Sequence, residues 1–229
     1  MSKEKRTVAL FDFDNTISRG DSVVPFLLYA RKKGLIGWGH ILKACGAFML
    51  QKMDKTKTVR AKEISFSFLK GKTEAEMTEF MHRFWEEALI PRIKPAALAE
   101  LQKLREQGTT VLVVSASADA YMRLLPEYLP ADTVLSTHCM LEESGRYTGT
   151  IESNCRGEEK VRRLKEWFAS QPWTPDLDAS SAYGDSAGDQ YMLSMVGHPV
   201  WVDAASRVRC LVPGAQSVDW RKAVCRSET

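Results

Sequence analysis

Asp12 and Asp14 stand two residues apart, directly behind an apolar run, Val8-Ala9-Leu10-Phe11. A short apolar run with no helical period reads as a buried strand. A lone carboxylate at the end of such a strand is costly unless a cation or hydrogen-bond donors meet it. The pair has two readings. One is a solvated turn at Asp14-Asn15, since both residue types favour turns. The other is a nucleophile and an acid partner, assisted by a metal, at the carboxyl end of a parallel strand. Open α/β sheets place their sites there.

Three later stretches carry chemistry of a compatible kind. Ser115 closes a β-branched apolar run, Thr109 to Ser115. Lys160 lies in the first turn of a helix that opens at Gly157-Glu158-Glu159. Gly184-Asp185-Ser186-Ala187-Gly188-Asp189 follows a short strand pattern from Ser180 to Tyr183. Taken singly, the Ser reads as a helix cap, the Lys as solvated and Gly-Asp-Ser as a turn. His40, His82, His138 and His198 are scattered without metal-ligand spacing. No Walker loop is present.

Taken together, in order, the four stretches resemble the motifs of the haloacid dehalogenase-like phosphatases. Asp12-Phe13-Asp14-Asn15-Thr16 is similar to D-x-D-x-T, and Gly184 to Asp189 is similar to G-D-x-x-x-D. The helical stretch after the first motif, Gly145 to Glu152, and Gly157-Glu158-Glu159-Lys160 resemble the phosphoserine phosphatase subfamily. Three positions depart from it. Ser115-Ala116-Ser117 stands where that subfamily has Ser-Gly-Gly, Gly188 where it has Asn, and Asp21 where it has Glu. The Ser-Ala-Ser form and the apolar stretch Leu35 to Met53 also look like a relative that dephosphorylates phosphatidylglycerophosphate.

The resemblance implies a role for each position. Asp12 is the implied nucleophile, giving an aspartyl-phosphate. Asp14 is the implied acid and base. Mg²⁺ is the implied cofactor, held by Asp12, the backbone carbonyl of Asp14, Asp185 and Asp189. Ser115, the amides from Ala116 onward and Lys160 are implied to bind the phosphoryl group. Asp21 and Arg60 are candidates for holding the rest of a small, phosphoserine-like substrate. A lipid-phosphate phosphatase at a membrane surface is the second reading. A non-catalytic binding module is the third, and the retained acids speak against it.

The surrounding pattern supplies a frame. Strands alternating with helices predict an α/β, Rossmann-like parallel sheet. Residues 22–90 carry helical signals only, so a helical cap is expected there, inserted after the first strand. Residues 1–21 and 91–229 then form the core. Helices are expected from Val23 to about Lys33, from Asp54-Lys55 to Lys70, and after the capping box Thr73-x-x-Glu76. Leu35 to Met53 is apolar almost throughout and is expected to be a buried cap helix; membrane-surface contact is the alternative. Val134 to Met140 and Arg146 to Ile151 predict a hairpin.

Totals agree with a soluble enzyme. The 229 residues carry 44% hydrophobic and 27% charged residues. A net charge of +3 and no Lys/Arg block longer than three argue against a nucleic-acid partner. The five cysteines are odd in number and form no C-x-x-C pair, which fits a reducing cytoplasm and no zinc site. Met1 to Arg6 is charged and the run after it is short, unlike a secretory signal. Oligomeric state has no signature here.

Overall fold

The structure is a computed structural model and describes residues 3–53 and 58–221. A two-residue strand β1 (Lys5–Arg6) precedes β2 (Val8–Phe11). A tight turn over Phe13–Ile17 follows. Helices α1 (Val23–Lys32), α2 (Trp38–Met53), α3 (Thr58–Phe66) and α4 (Glu74–Phe84) come next. Strand and helix then alternate: α5 (Pro95–Glu106), β3 (Thr110–Ala118), α6 (Asp119–Met122), α7 (Leu125–Tyr128) and β4 (Thr133–Thr137). The chain continues through β5 (Cys139–Leu141), β6 (Tyr147–Ile151), α8 (Glu158–Ser170), β7 (Thr174–Pro175) and β8 (Ser181–Gly184). It closes with α9 (Gln190–Leu193), β9 (His198–Val202), α10 (Ser206–Arg209) and β10 (Gln216–Val218).

The main sheet runs β10-β9-β8-β2-β3-β4, and every pairing in it is parallel. From β2 the chain builds outward through β3 and β4, then returns to β8 on the other side. The order therefore reverses at β2, and a crevice opens beyond the carboxyl ends of β2, β3 and β8. Alternate residues of β2 feed two cores. Ala9 and Phe11 join one with Val111, Val113 and Leu101; Val8 and Leu10 join the other with Leu112, Val114, Leu164 and Phe168. Both faces of the sheet are thus covered, which explains the unbroken apolar runs.

Among the described residues, 22–90 add no strand to this sheet. Their two ends meet. Ser18 and Ile93 form an antiparallel bridge, flanked by Arg19 N–H to Arg92 O at 2.8 Å and Lys94 N–H to Ile17 O at 2.9 Å. Phe26, Phe66, Phe84 and Trp85 from this segment share one apolar cluster with β2 and β3.

Several local readings hold. The capping box at Thr73 is formed, with Glu76 N–H donating to Thr73 Oγ1 at 3.1 Å and Thr73 N–H to Glu76 Oε2 at 2.8 Å. On the helix that follows, Met77, Met81, Phe84 and Trp85 are buried and Phe80 is half-buried, one apolar face turned inward. Others differ. The expected cap at Asp54-Lys55 lies outside the described residues. The residues from Asp119 to Tyr128 form two short helices, α6 and α7, rather than one, because Pro126 lacks the N–H that would continue the first. The expected hairpin is split: β4 pairs with β3 in the main sheet, and only β5 pairs with β6. The weakly patterned tail supplies the edge strand β10.

The expectation of a buried helix from Leu35 to Met53 is corrected. α2 forms, and Ile41 and Ala44 are buried, but Trp38, Leu42, Met49 and Leu50 face outward. Apolar residues all round a helix read as burial; here the rest of the chain covers one side only.

Candidate active site

The site is built from four strand and helix ends. Asp12 follows β2, and its N–H donates to Tyr183 O on β8 at 2.9 Å. That bond fixes the carboxylate at the crevice. Asn15 turns the chain at φ 60°, a conformation Asn tolerates better than most residues. The turn brings Thr16 Oγ1 to Asp12 Oδ2 at 3.1 Å. Lys160, in the first turn of α8, donates Nζ to Asp12 Oδ1 at 2.6 Å and to Asp189 Oδ1 at 2.7 Å. Lys160 is 1% exposed. Burial disfavours its charge, yet Asp12 and Asp189 hold its pKa above the usual lysine value.

Asp14 is held by other groups. Its Oδ1 accepts from Ser22 N–H at 2.8 Å and its Oδ2 from Ser117 Oγ at 2.6 Å. The Ser117 hydroxyl lies 2.7 Å from Ser22 Oγ, which lies 2.9 Å from the buried Tyr121 hydroxyl. Ser115 is fully buried, and its Oγ accepts from Ser117 N–H at 3.0 Å.

Asp185 follows β8, and Asp189 comes one short turn later. Asp189 Oδ2 accepts from Ser186 N–H at 3.1 Å and Ser186 Oγ at 3.0 Å. Gly184 permits this approach, since a Cβ there would sit 2.5 Å from Asp189 Cβ. Asp12, Asp185 and Asp189 each offer a carboxylate oxygen, all within 4.8 Å of one another. Burial and the neighbouring carboxylates push Asp12 well above the carboxylate range and Asp185 up to about 7. Asp14 rises to about 6, through burial and then Asp21. Such a cluster is short of positive charge, and its all-oxygen donor set suits a hard divalent cation.

These residues line a cavity of about 190 Å³, with Asn15, Asp21, Ala116, Arg156, Ser186 and Gly188. Asp21 is exposed on the rim, where its Oδ1 also accepts from Val23 N–H at 2.8 Å.

Known proteins share this frame. A family model of haloacid dehalogenase-like hydrolases matches residues 9–194. Protein CicA of Caulobacter vibrioides is 32% identical over 197 residues, covering 85% of each chain. The histidinol-phosphatase of Neisseria meningitidis is 26% identical over 201 residues, covering 86% of this chain and 90% of that protein. A solved structure of a protein of unknown function from Bordetella pertussis matches with a TM-score of 0.82 and 21% identity, over 94% of this chain and 99% of that one. The chain is a haloacid dehalogenase-like hydrolase. It is an enzyme of the phosphatase kind, with named phosphatases among its relatives.

Within this hydrolase, the structure brings Asp12, Asp14, Ala116, Lys160, Asp185 and Asp189 to one cavity, with Asp21 at its edge. Arg60 is not brought there. Its side chain is 74% exposed and lies 3.5 Å from Glu63 on the outer side of α3. The buried cation of this helix is Lys62, two residues on and so on the opposite side. Lys62 Nζ reaches Ala116 O and lies 2.5 Å from Asn154 Oδ1. Burial lowers its pKa to about 8, though Asp14 and Asp21 favour its charge.

Two further residues escape a reading by motif. Lys94, 3% exposed, donates to Asn15 O in the Phe13–Ile17 turn and to Asp203 Oδ2 at 2.8 Å. Arg156 lies across the fourth motif: a Cβ at Gly188 would meet its Nε at 2.9 Å and its Cγ at 3.2 Å. The sequence signal for Arg156 was Gly188 itself, a departure that leaves room for another side chain.

Proposed function

We propose that this hydrolase is a Mg²⁺-dependent phosphomonoesterase for a small, polar metabolite, working through an aspartyl-phosphate. The observation that carries the reading is the double engagement of Asp12 by Thr16 and Lys160, beside an independently held Asp14. One carboxylate faces the cavity beside a cation; the other is oriented to give and take a proton. Asp12 attacks phosphorus, and the ester oxygen leaves. Asp14 protonates that oxygen, then accepts the proton of the water that hydrolyses the aspartyl-phosphate. Lys160 and the amides from Ala116 onward stabilise the phosphoryl oxygens as charge shifts.

Asp12, Asp185, Asp189 and the backbone carbonyl of Asp14 would hold Mg²⁺. The ion supplies charge neutralisation between the phosphate dianion and the attacking carboxylate.

The cavity of about 190 Å³ favours a small leaving group over a lipid. Asp21 and Arg156 put opposite charges at its edge. A phosphoserine-like leaving group, with an ammonium for Asp21 and a carboxylate for Arg156, satisfies both. A screen of small phosphoesters and one lipid phosphate, with Mg²⁺, tests the reading. Turnover of a small polar ester, lost by several decades in folded Asp12→Asn protein, is expected. Normal turnover by folded Asp12→Asn, or turnover of lipid phosphate alone, overturns it.

A further inference from the structure

We infer that the outward face of α2 is a docking surface for an anionic lipid bilayer. Four large apolar side chains stand on it: Trp38, Leu42, Met49 and Leu50, exposed by 60%, 70%, 71% and 53%. Trp38, Leu42, Cys45 and Met49 follow the i, i+4, i+7, i+11 spacing of one helix stripe, and Cys45 is exposed as well. Of the twelve most exposed large hydrophobics among the described residues, eight fall between Val24 and Val59. Single exposed apolar residues need no explanation, but a helix stripe of this kind marks a contact surface.

The inner side of the same helix is already satisfied. Ile41 and Ala44 are buried in the apolar cluster beneath, and α2 packs against α3. The outer stripe is therefore a second apolar face, additional to the one that attaches the helix. No helix among the described residues is long and apolar enough to cross a membrane. The geometry is that of a helix lying along a surface.

Charge selects the occupant. Residues 22–61 hold eight of the chain's 32 Lys and Arg but only one of its 29 acids, Asp54. The remainder of the chain is net acidic, so the basic charge is concentrated in the sequence that contains α2. Lys43 is exposed one residue from Leu42, and the Arg31 guanidinium lies 5.0 Å from the Trp38 ring centroid. Lys32 and Lys33 share Glu87. A second copy of the chain meeting this face would bring the same basic segment against itself. An anionic bilayer brings the opposite charge and an apolar layer below it, and Trp suits the boundary between them.

The test is flotation of the full chain with vesicles of equimolar phosphatidylglycerol and phosphatidylcholine, against vesicles of phosphatidylcholine alone. Binding to the anionic vesicles, weakened by salt, is expected. Leu42→Asp with Met49→Asp should lower the vesicle-bound fraction about tenfold or more. Hydrolysis of a soluble aryl phosphate and the circular dichroism spectrum should not change. Leu42→Gln with Met49→Gln, a milder pair, should act in the same direction. Failure to float with anionic vesicles at low salt overturns the inference. So does flotation that both double variants leave intact, or a concentration-dependent dimer, seen by analytical ultracentrifugation, that the same substitutions abolish.

Discussion

The hydroxyl of Ser117 donates to Oδ2 of Asp14 at 2.6 Å, joining the end of β3 to the turn that follows β2. This serine stands where the phosphoserine phosphatase pattern has glycine. Its side chain holds the proposed acid in place from a second strand. Ser117→Ala leaves Asp14 with Ser22 as its partner. We expect kcat to fall about 10- to 100-fold for an alkyl phosphate, whose leaving oxygen needs a proton. The nitrophenyl ester, with a good leaving group, should fall far less. Equal losses on both esters would mean that Ser117 shapes the loop rather than the acid.

The acidic cluster predicts a metal effect on stability as well as on rate. Mg²⁺ should raise the melting temperature, since it binds the folded site and relieves repulsion among Asp12, Asp185 and Asp189. At about 100 times its Kd a ligand stabilises by about 2.7 kcal/mol. Asp185→Asn should shrink the shift seen at a fixed Mg²⁺ concentration. A melting temperature that ignores Mg²⁺ in the unaltered protein sinks the prediction.

Lys94 and Asp203 form an ion pair with side chains 4% and 8% exposed, and the ammonium also braces Asn15. Removing the lysine leaves the buried Asp203 carboxylate without its ammonium, with the Trp220 amide and the largely exposed Arg221 beside it. Lys94→Met is expected to cost about 3–5 kcal/mol. Adding Asp203→Leu should recover part of that loss, because the stranded carboxylate is gone. Denaturant titration of the two single variants and the double variant measures the coupling. Strict additivity would show that the pair does not act as one.

Gly188 makes space for Arg156, and this gives specificity a handle. Gly188→Asn, which inserts the subfamily's residue, should push the guanidinium off the fourth motif. KM for the best carboxylate-bearing phosphoester is expected to rise about tenfold, as in Arg156→Gln. Nitrophenyl phosphate should respond weakly to either change. If both substrates respond alike, Arg156 serves the metal loop and not the leaving group.

The main-chain frame was legible where residue chemistry and local pattern coincided. Asp12 follows the apolar run of β2 and Asp185 follows β8, so there a strand end and a polar group announce each other; Ser115 ends an apolar run too, but β3 goes on past it to Ala118. Lys160 sits one turn inside a helix whose start is marked by Gly157, at φ 64°. Lys62 and Lys94 were not legible for the same physical reason. A lysine beside a helix reads as solvated, and only the packing of a distant loop turns it inward. Arg60 misled because helix phase, not residue type, decides which cation faces the crevice. The split of Val134 to Met140 between two sheets depends on strand partners that no local alternation specifies.

The bridge between Ser18 and Ile93 has a meaning for how such a chain can change over time. The helical segment leaves and rejoins the sheet at neighbouring points, so its length is not a dimension of the sheet. Doubling the span of a loop costs only about 0.6 kcal/mol in closure entropy. Insertions, deletions and exchanges in that segment beyond Ser22, whose amide holds Asp14, leave Asp12 and its neighbours where they are. Inheritance can therefore rewrite what the enzyme recognises and where it settles in the cell while copying its chemistry unaltered.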